Sequence, residues 1–240
     1  MALPSNVHVS SHPLLQAKLS QLRSASTSTR ETRSLVHEIA TILGVEAFAA
    51  GWKVKKAGMD TTPLGTEYVT HDIDPSDIAL VPILRSGLGM IEGIHLPPYS
   101  LTDQFAMNNL LPTSIPIYHL GLFRERLTLQ PVEYYNNLPF QPDSSSTNTA
   151  AAATAILLDP VIATGATAEA AIQLLREWGV QRVVMLSVLG SEAGVLRAAG
   201  TWPEGVEVWT GAVDARCDER GMIVPGLGDI GDRLFVAMGK

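Results

Sequence analysis

Asp159 stands at the end of an apolar, strand-length run, and the residues after it could bind a phosphorylated sugar. The segment Ile156–Ile172 reads ILLDPVIATGATAEAAI. Ala163, Thr164, Gly165, Ala166 and Thr167 form a turn of small residues that opens a helical pattern. A helix start offers unpaired backbone N–H groups and the positive end of a dipole, which together suit a phosphate. Small residues let the main chain approach the ligand closely, Thr164 and Thr167 add hydroxyl donors, and Asp159 could accept from sugar hydroxyls. The same residues also suit a plain strand–turn–helix joint, with Thr167 as N-cap and Asp159 as a turn residue. Neither G-x-x-x-x-G-K-[ST] nor G-x-G-x-x-G is present, which points to a sugar monophosphate rather than a nucleoside triphosphate.

Two further segments carry candidate groups. In VPILRSGLGM, Val81–Met90, Arg85 lies just past an apolar strand, where its planar fork could reach an anion. Arg124, in GLFRERLTL, sits in a matching place after the next expected strand, although Glu125 and Arg126 also suit a solvated charged run. The third segment, GMIVPGLGDIGDR (Gly221–Arg233), packs four glycines and a proline into one loop and includes Asp229 and Asp232. Main-chain N–H and C=O groups of such a loop could read the edge of a planar base. Cys217 lies between Arg216 and Asp218 without an evident base, and the six histidines form no H-x₃-H pattern, so neither nucleophilic catalysis nor a resident metal is indicated.

The elements that must hold these groups follow from periodicity. Helices are expected at Pro13–Arg23, at about 31–50, at Thr167–Trp178 before Gly179, and at about 191–199. Strands are expected at Ile78–Leu84, about Ile115–Leu120, Ala155–Leu158, Arg182–Val188 and Val206–Val213, with a weaker one at 66–74. Alternating strands and helices argue for βαβ units in a mainly parallel sheet, whose ligands bind beyond the carboxyl ends of the strands. Residues 95–114 read as a long loop and 141–155 as a low-complexity mobile insert, within a single domain spanning 1–240. A net charge of −7 argues against a protein that coats nucleic acid or anionic lipid. No apolar run approaches the ~20 residues of a membrane span. The lone cysteine and the lack of a secretory leader pattern suggest a soluble protein of the reducing cytoplasm.

Five pieces together resemble the uracil phosphoribosyltransferase family: HPLLQAKLSQLR, VPILRSGLGM, GLFRERLTLQPVEYYNNLP, LLDPVIATGATAEAAIQLL and GMIVPGLGDIGDRLF. They occur in family order over about residues 12–238. The resemblance implies an α/β phosphoribosyltransferase fold, a mainly parallel central sheet flanked by helices, with a small C-terminal hood. It implies the reaction of uracil with 5-phosphoribosyl-1-diphosphate to give UMP and diphosphate, with Mg²⁺ carried mainly by the substrate diphosphate.

By the same resemblance Arg85 and Arg124 contact the donor and, with Asp229, are the catalytic candidates. Asp159, Pro160, Val161, Ile162, Ala163, Thr164, Gly165, Ala166 and Thr167 would hold the ribose and 5′-phosphate. Ile223, Gly228, Asp229 and Ile230 would line the uracil site, mainly through main-chain groups, with Asp229 also near the donor. The segment Arg124–Leu138 would be a closing arm. A homodimer or homotetramer is implied, and GTP is a candidate effector.

Two positions depart from the family pattern. Ala166 replaces a glycine usual in the phosphate turn, which would cost about 1 kcal/mol if that position needs φ > 0. Ile230 would add bulk beside uracil. These two residues, with the two inserts, motivate the alternative of a non-catalytic sensor that binds UMP or the donor. The same chemistry on another base is a third option.

Overall fold

The structure, a computed structural model, describes residues 3–74, 77–91, 110–111, 115–125, 131–139 and 152–236. Most of the expected loop at 95–114 and of the insert at 141–155 lies outside them; residues 154 and 155 already belong to a strand.

In chain order the elements are β1 (Val7–Val9), α1 (Pro13–Arg23), α2 (Thr29–Gly51), β2 (Lys53–Thr61), β3 (Glu67–Asp74), β4 (Ile78–Leu84), a 3₁₀ turn at Ser86–Met90, β5 (Leu120–Arg124) and β6 (Pro131–Asn136). They continue with β7 (Thr154–Leu158), β8 (Val161–Ile162), α3 (Ala166–Trp178), β9 (Arg182–Ser187), β10 (Leu189–Ser191), α4 (Glu192–Thr201) and β11 (Val206–Thr210). The C-terminal part holds β12 (Val213–Asp214), β13 (Arg216–Cys217), β14 (Ile223–Val224) and α5 (Ile230–Phe235).

The main sheet has the order β1-β11-β9-β7-β4-β5-β6 and is parallel except at the β5–β6 pair. The expected parallel α/β architecture is therefore present. Alternation along the strands builds two cores. Ile78, Leu80, Ile156, Leu158, Val184 and Leu186 face the side covered by α1, α2 and α5. Val81, Ile83, Ala155, Leu157, Val183 and Met185 face α3 and α4.

Helix α1 has the bounds its leucines predict, with Leu15, Leu19 and Leu22 buried and Leu14 exposed. Helix α2 starts at a capping box in which Ser28 and Glu31 satisfy each other's backbone N–H groups. Of the described helices, α2 alone is long and apolar enough to cross a bilayer by length and composition; here its stripe of Leu35, Ile39 and Leu43 is buried in the core.

Two expectations shift. The strand expected at about 115–120 is centred on Leu120–Arg124, with only a single bridge from Ile117 to Leu80 before it. The cause is a half-covered surface: Leu120 and Leu122 are buried while Phe123 is exposed, a period of two that continues past the glycine. The strand expected over Val206–Val213 breaks after Thr210, and its last residue, Val213, opens β12 in a second, three-stranded parallel sheet of order β12-β10-β8. This small sheet extends beyond the carboxyl ends of the main strands and is central to the site.

Candidate functional site

The phosphate-type turn has the form its sequence suggests, with one change in the residue that carries the bend. Gly165 is the N-cap of α3 with φ 77°, in the left-handed region, and Ala166 is the first helical residue. A Cβ on Gly165 would lie 2.6 Å from the Gly194 carbonyl oxygen of α4, so glycine is required both by angle and by space. Ala166 takes no positive φ: among the described residues Val236 is the only non-glycine that does. The strain expected at Ala166 is absent, and Thr167 lies inside the helix rather than capping it.

Ser191, fully buried at the start of α4, donates from Oγ to the Ala163 carbonyl at 2.6 Å and accepts from the Gly194 N–H at 2.9 Å. Asp159, Val161, Ile162, Ala163, Thr164, Gly165, Thr167 and Ala168 enclose a cavity of about 80 Å³, room for a phosphate-sized group.

Asp159 is buried at the end of β7. Burial raises its pKa to about 7, opposed by the Ser86 hydroxyl and the Val161 N–H. Ser86 Oγ donates to Asp159 Oδ1 at 3.3 Å, which joins this strand end to the turn that follows Arg85. Arg85 itself is exposed at the carboxyl end of β4, after a cis Leu84–Arg85 peptide bond. Gly87 presses the 3₁₀ turn onto β7, since a Cβ there would run into the Leu158 carbonyl oxygen. Arg124 does not follow its strand as expected; it is the last residue of β5, paired with Pro131.

In the C-terminal loop, Gly226 and Gly228 have φ 64° and 80°, and the Val224–Pro225 bond is cis. Ile223, Leu227 and Ile230 bury their side chains in the core, whereas Gly228 and Asp229 are exposed. The bulk of Ile230 therefore points into packed protein, contrary to the expectation that it crowds a bound base. The Asp229 carboxylate caps α5, accepting from the Asp232 N–H at 3.0 Å.

Residues that sequence reasoning passed over hold this loop. Arg23, the last residue of α1, donates through Nη1 and Nη2 to both carboxylate oxygens of Asp214 at 2.7 Å, and Nη1 also donates to the Gly226 carbonyl at 2.7 Å. The Gly226 N–H donates to the same carboxylate at 2.9 Å. Burial alone would raise the Asp214 pKa, but the Arg23 and Gly226 hydrogen bonds outweigh it and hold it below the ordinary value. Arg233 spans from α5 to the Leu22, Leu227 and Ser24 carbonyls at 2.5, 2.7 and 3.0 Å.

Asp214 belongs to β12, whose neighbour β10 pairs with β8 at Val161 and Ile162. One small sheet thus joins the phosphate-type turn to the loop at Gly226.

Comparison with known proteins gives the family. The family model for uracil phosphoribosyltransferase matches residues 9–237. The chain belongs to that family. A uracil phosphoribosyltransferase from Roseiflexus castenholzii is 40% identical over 229 residues, covering 95% of this chain and 97% of the relative. One from Streptococcus suis is 36% identical over 227 residues, covering 95% and 96%. Among solved structures, the AQ2163 protein from Aquifex aeolicus is 28% identical, with a TM-score of 0.79 over 96% of this chain and 98% of that one. The uracil phosphoribosyltransferase family match extends through α1 and the C-terminal loop, so it includes Arg23 and Asp214 as well as the turns.

Proposed function

We propose that this chain transfers the 5-phosphoribosyl group of 5-phosphoribosyl-1-diphosphate to uracil, giving UMP and diphosphate in pyrimidine salvage. The observation that carries the reading is the pairing of a phosphate-sized cavity at the start of α3 with a glycine loop of exposed main chain, both attached to the β12-β10-β8 sheet. Family membership over nearly the whole chain supports it.

The chemistry is mostly positioning and electrostatics. The C1′–O bond of the donor breaks, diphosphate departs with the electron pair, and uracil N1 bonds to C1′ while its proton is released to water. Asp159 and the amides and hydroxyls of Thr164–Thr167 would hold the ribose and 5′-phosphate, which fixes C1′ relative to the base. Arg85 and Arg124 would stabilise the charge that builds on the leaving group. Gly228, Asp229 and the main chain at Ile223 and Ile230 would present donors and acceptors to the uracil edge.

Among the described residues there is no group of three or more His, Cys, Asp or Glu side chains that could cage a metal. We read Mg²⁺ as part of the substrate, bound to the diphosphate of the donor. We read Arg124–Leu138, of which residues 126–130 lie outside the described ones, as an arm that would close and exclude water, since hydrolysis of the donor competes with transfer; β6, paired antiparallel with β5, belongs to it.

The sensor alternative drew on Ala166, Ile230 and the two inserts; Ala166 is an ordinary helical residue and Ile230 a core side chain, and nothing among the described residues favours it. We read the enzyme as cytoplasmic, as its salvage substrates suit. We also read it as a homodimer or homotetramer, with GTP a candidate effector. The β2–β3 ribbon supports an assembly: Val54, Met59 and Leu64 are exposed on it, and isolated two-stranded ribbons are marginal in water.

Purified protein given uracil, donor and Mg²⁺ should form UMP and diphosphate, measured by chromatography. Arg85→Ala should lower kcat/KM by about 10²-fold or more if it stabilises the leaving group as an oxyanion donor does. Absence of UMP from the wild-type protein overturns the reading, and normal kinetics in the variant overturn the role of Arg85.

A further inference from the structure

The 3₁₀ turn Ser86–Met90 is gripped from both sides, and only one side belongs to the phosphoribosyl end of the site. Ser86 and Gly87 fasten it to Asp159 and Leu158 of β7. On its other side, Gly89 faces α5: a Cβ there would lie 3.1 and 3.3 Å from the two methyl groups of Leu234 and 3.6 Å from Cγ1 of Val36. Leu234, Met90 and Val36 are all fully buried in one cluster.

Leu234 lies four residues after Ile230, one helical turn along the same face, and Ile230 is buried in that cluster too. Helix α5 is also held as a body. Arg33 Nε donates to the Leu234 carbonyl at 2.6 Å, and Arg233 fastens the helix to Leu227 of the base loop and to the end of α1.

We infer that Leu234 is a positioning residue that couples occupancy of the diphosphate turn at Arg85 to the shape of the base loop at Gly228–Ile230. The inference rests on the proposed reaction, which supplies both ligands. An anion drawn onto Arg85 shifts a turn only five residues long, and close-packed interior transmits that shift rather than absorbing it. A side chain at position 89 would press on Leu234, so glycine there lets Leu234 pack close over the turn, and the far end of α5 is the Asp229 cap beside the base loop. By linkage, diphosphate and uracil each raise the affinity of the other by the same factor.

The test is the uracil dissociation constant, by calorimetry, with and without saturating magnesium diphosphate. No reaction can occur in that mixture, so coupling is read without turnover. The wild-type protein should bind uracil about fivefold tighter or more when diphosphate is present. Leu234→Ala should bring that ratio to within about twofold of unity, and Leu234→Met, which nearly conserves volume, should restore it.

Leu234→Val, a milder truncation, and Gly89→Ala, which alters the contact from the turn side, give the same readout should the alanine variant fail to fold. A residue that only supports the fold would lower the melting temperature and leave the ratio intact. A wild-type ratio of one, or variants that keep the wild-type ratio, overturns the inference while UMP formation still stands. A wild-type protein that makes no UMP and binds no uracil overturns the proposed reaction and this inference with it.

Discussion

Among the described residues, Asp159 carries the most strongly raised carboxyl pKa. Burial moves its pKa from 3.8 in the unfolded reference to about 7 in the folded chain. A raised carboxyl pKa means that the native state keeps a proton which the unfolded state releases. Its contribution to stability is therefore full below about 4 and is lost as pH rises toward 7. In ligand-free protein, urea titrations across that window should show wild-type stability declining with pH, and Asp159→Asn should flatten the decline. A parallel slope in both proteins would mean that Asp159 titrates normally. Ala166 gives a second test at this scale. As a helical residue it gains nothing from being glycine, so Ala166→Gly should leave the donor KM within about twofold and cost up to about 1 kcal/mol of stability.

Among the elements, the joint between β8 and α3 leaves no room for any residue but glycine. Gly165 combines a left-handed φ with a neighbour, the Gly194 carbonyl, that belongs to backbone and cannot rotate away. Gly165→Ala should cost more than about 2 kcal/mol, a drop of about 4 °C or more in melting temperature, and weaken donor binding in parallel. The turn was legible in the sequence because Thr164–Thr167 are small and follow a run of apolar residues. Which position takes the bend was not, because that is decided by α4, packed from 28 residues away through Ser191 and Ala163.

The same contrast runs through the strands. β4, β7 and β9 read clearly because both faces are buried and the runs are continuously apolar. β2 escaped notice: Lys53, Lys55, Lys56 and Asp60 interrupt any pattern in a ribbon that faces solvent on both sides, so there is no inside to alternate with. β1 is three residues long, too short for any period to show.

On the scale of the whole molecule, the C-terminal loop is secured by an ion pair whose partners are 191 positions apart, a relation no local pattern can reveal. Arg23→Ala leaves Asp214 buried without its cation and should destabilise the chain by about 3 kcal/mol, with Arg23→Lys intermediate because it loses the two-pronged geometry. The uracil KM should rise more than the donor KM, since the phosphate turn keeps its own Ser191 anchor. Because the Asp214 pKa is lowered, its contribution is present above the unfolded value and is lost as pH falls through the folded one. Denaturation followed toward acid should thus show wild-type protein losing stability that Arg23→Ala has already lost. Equal acid sensitivity of the two proteins would detach the clamp from this role.

The C-terminal loop turns Ile223, Leu227 and Ile230 inward and exposes Pro225, Gly228 and Asp229. Under the proposed reading of the base by main-chain groups, recognition would be nearly blind to the alphabet of side chains, and point substitutions there would erode folding long before they chose a different nucleobase. A lineage seeking a new base would have to redraw the path of the chain, by insertion, deletion or relocated glycines.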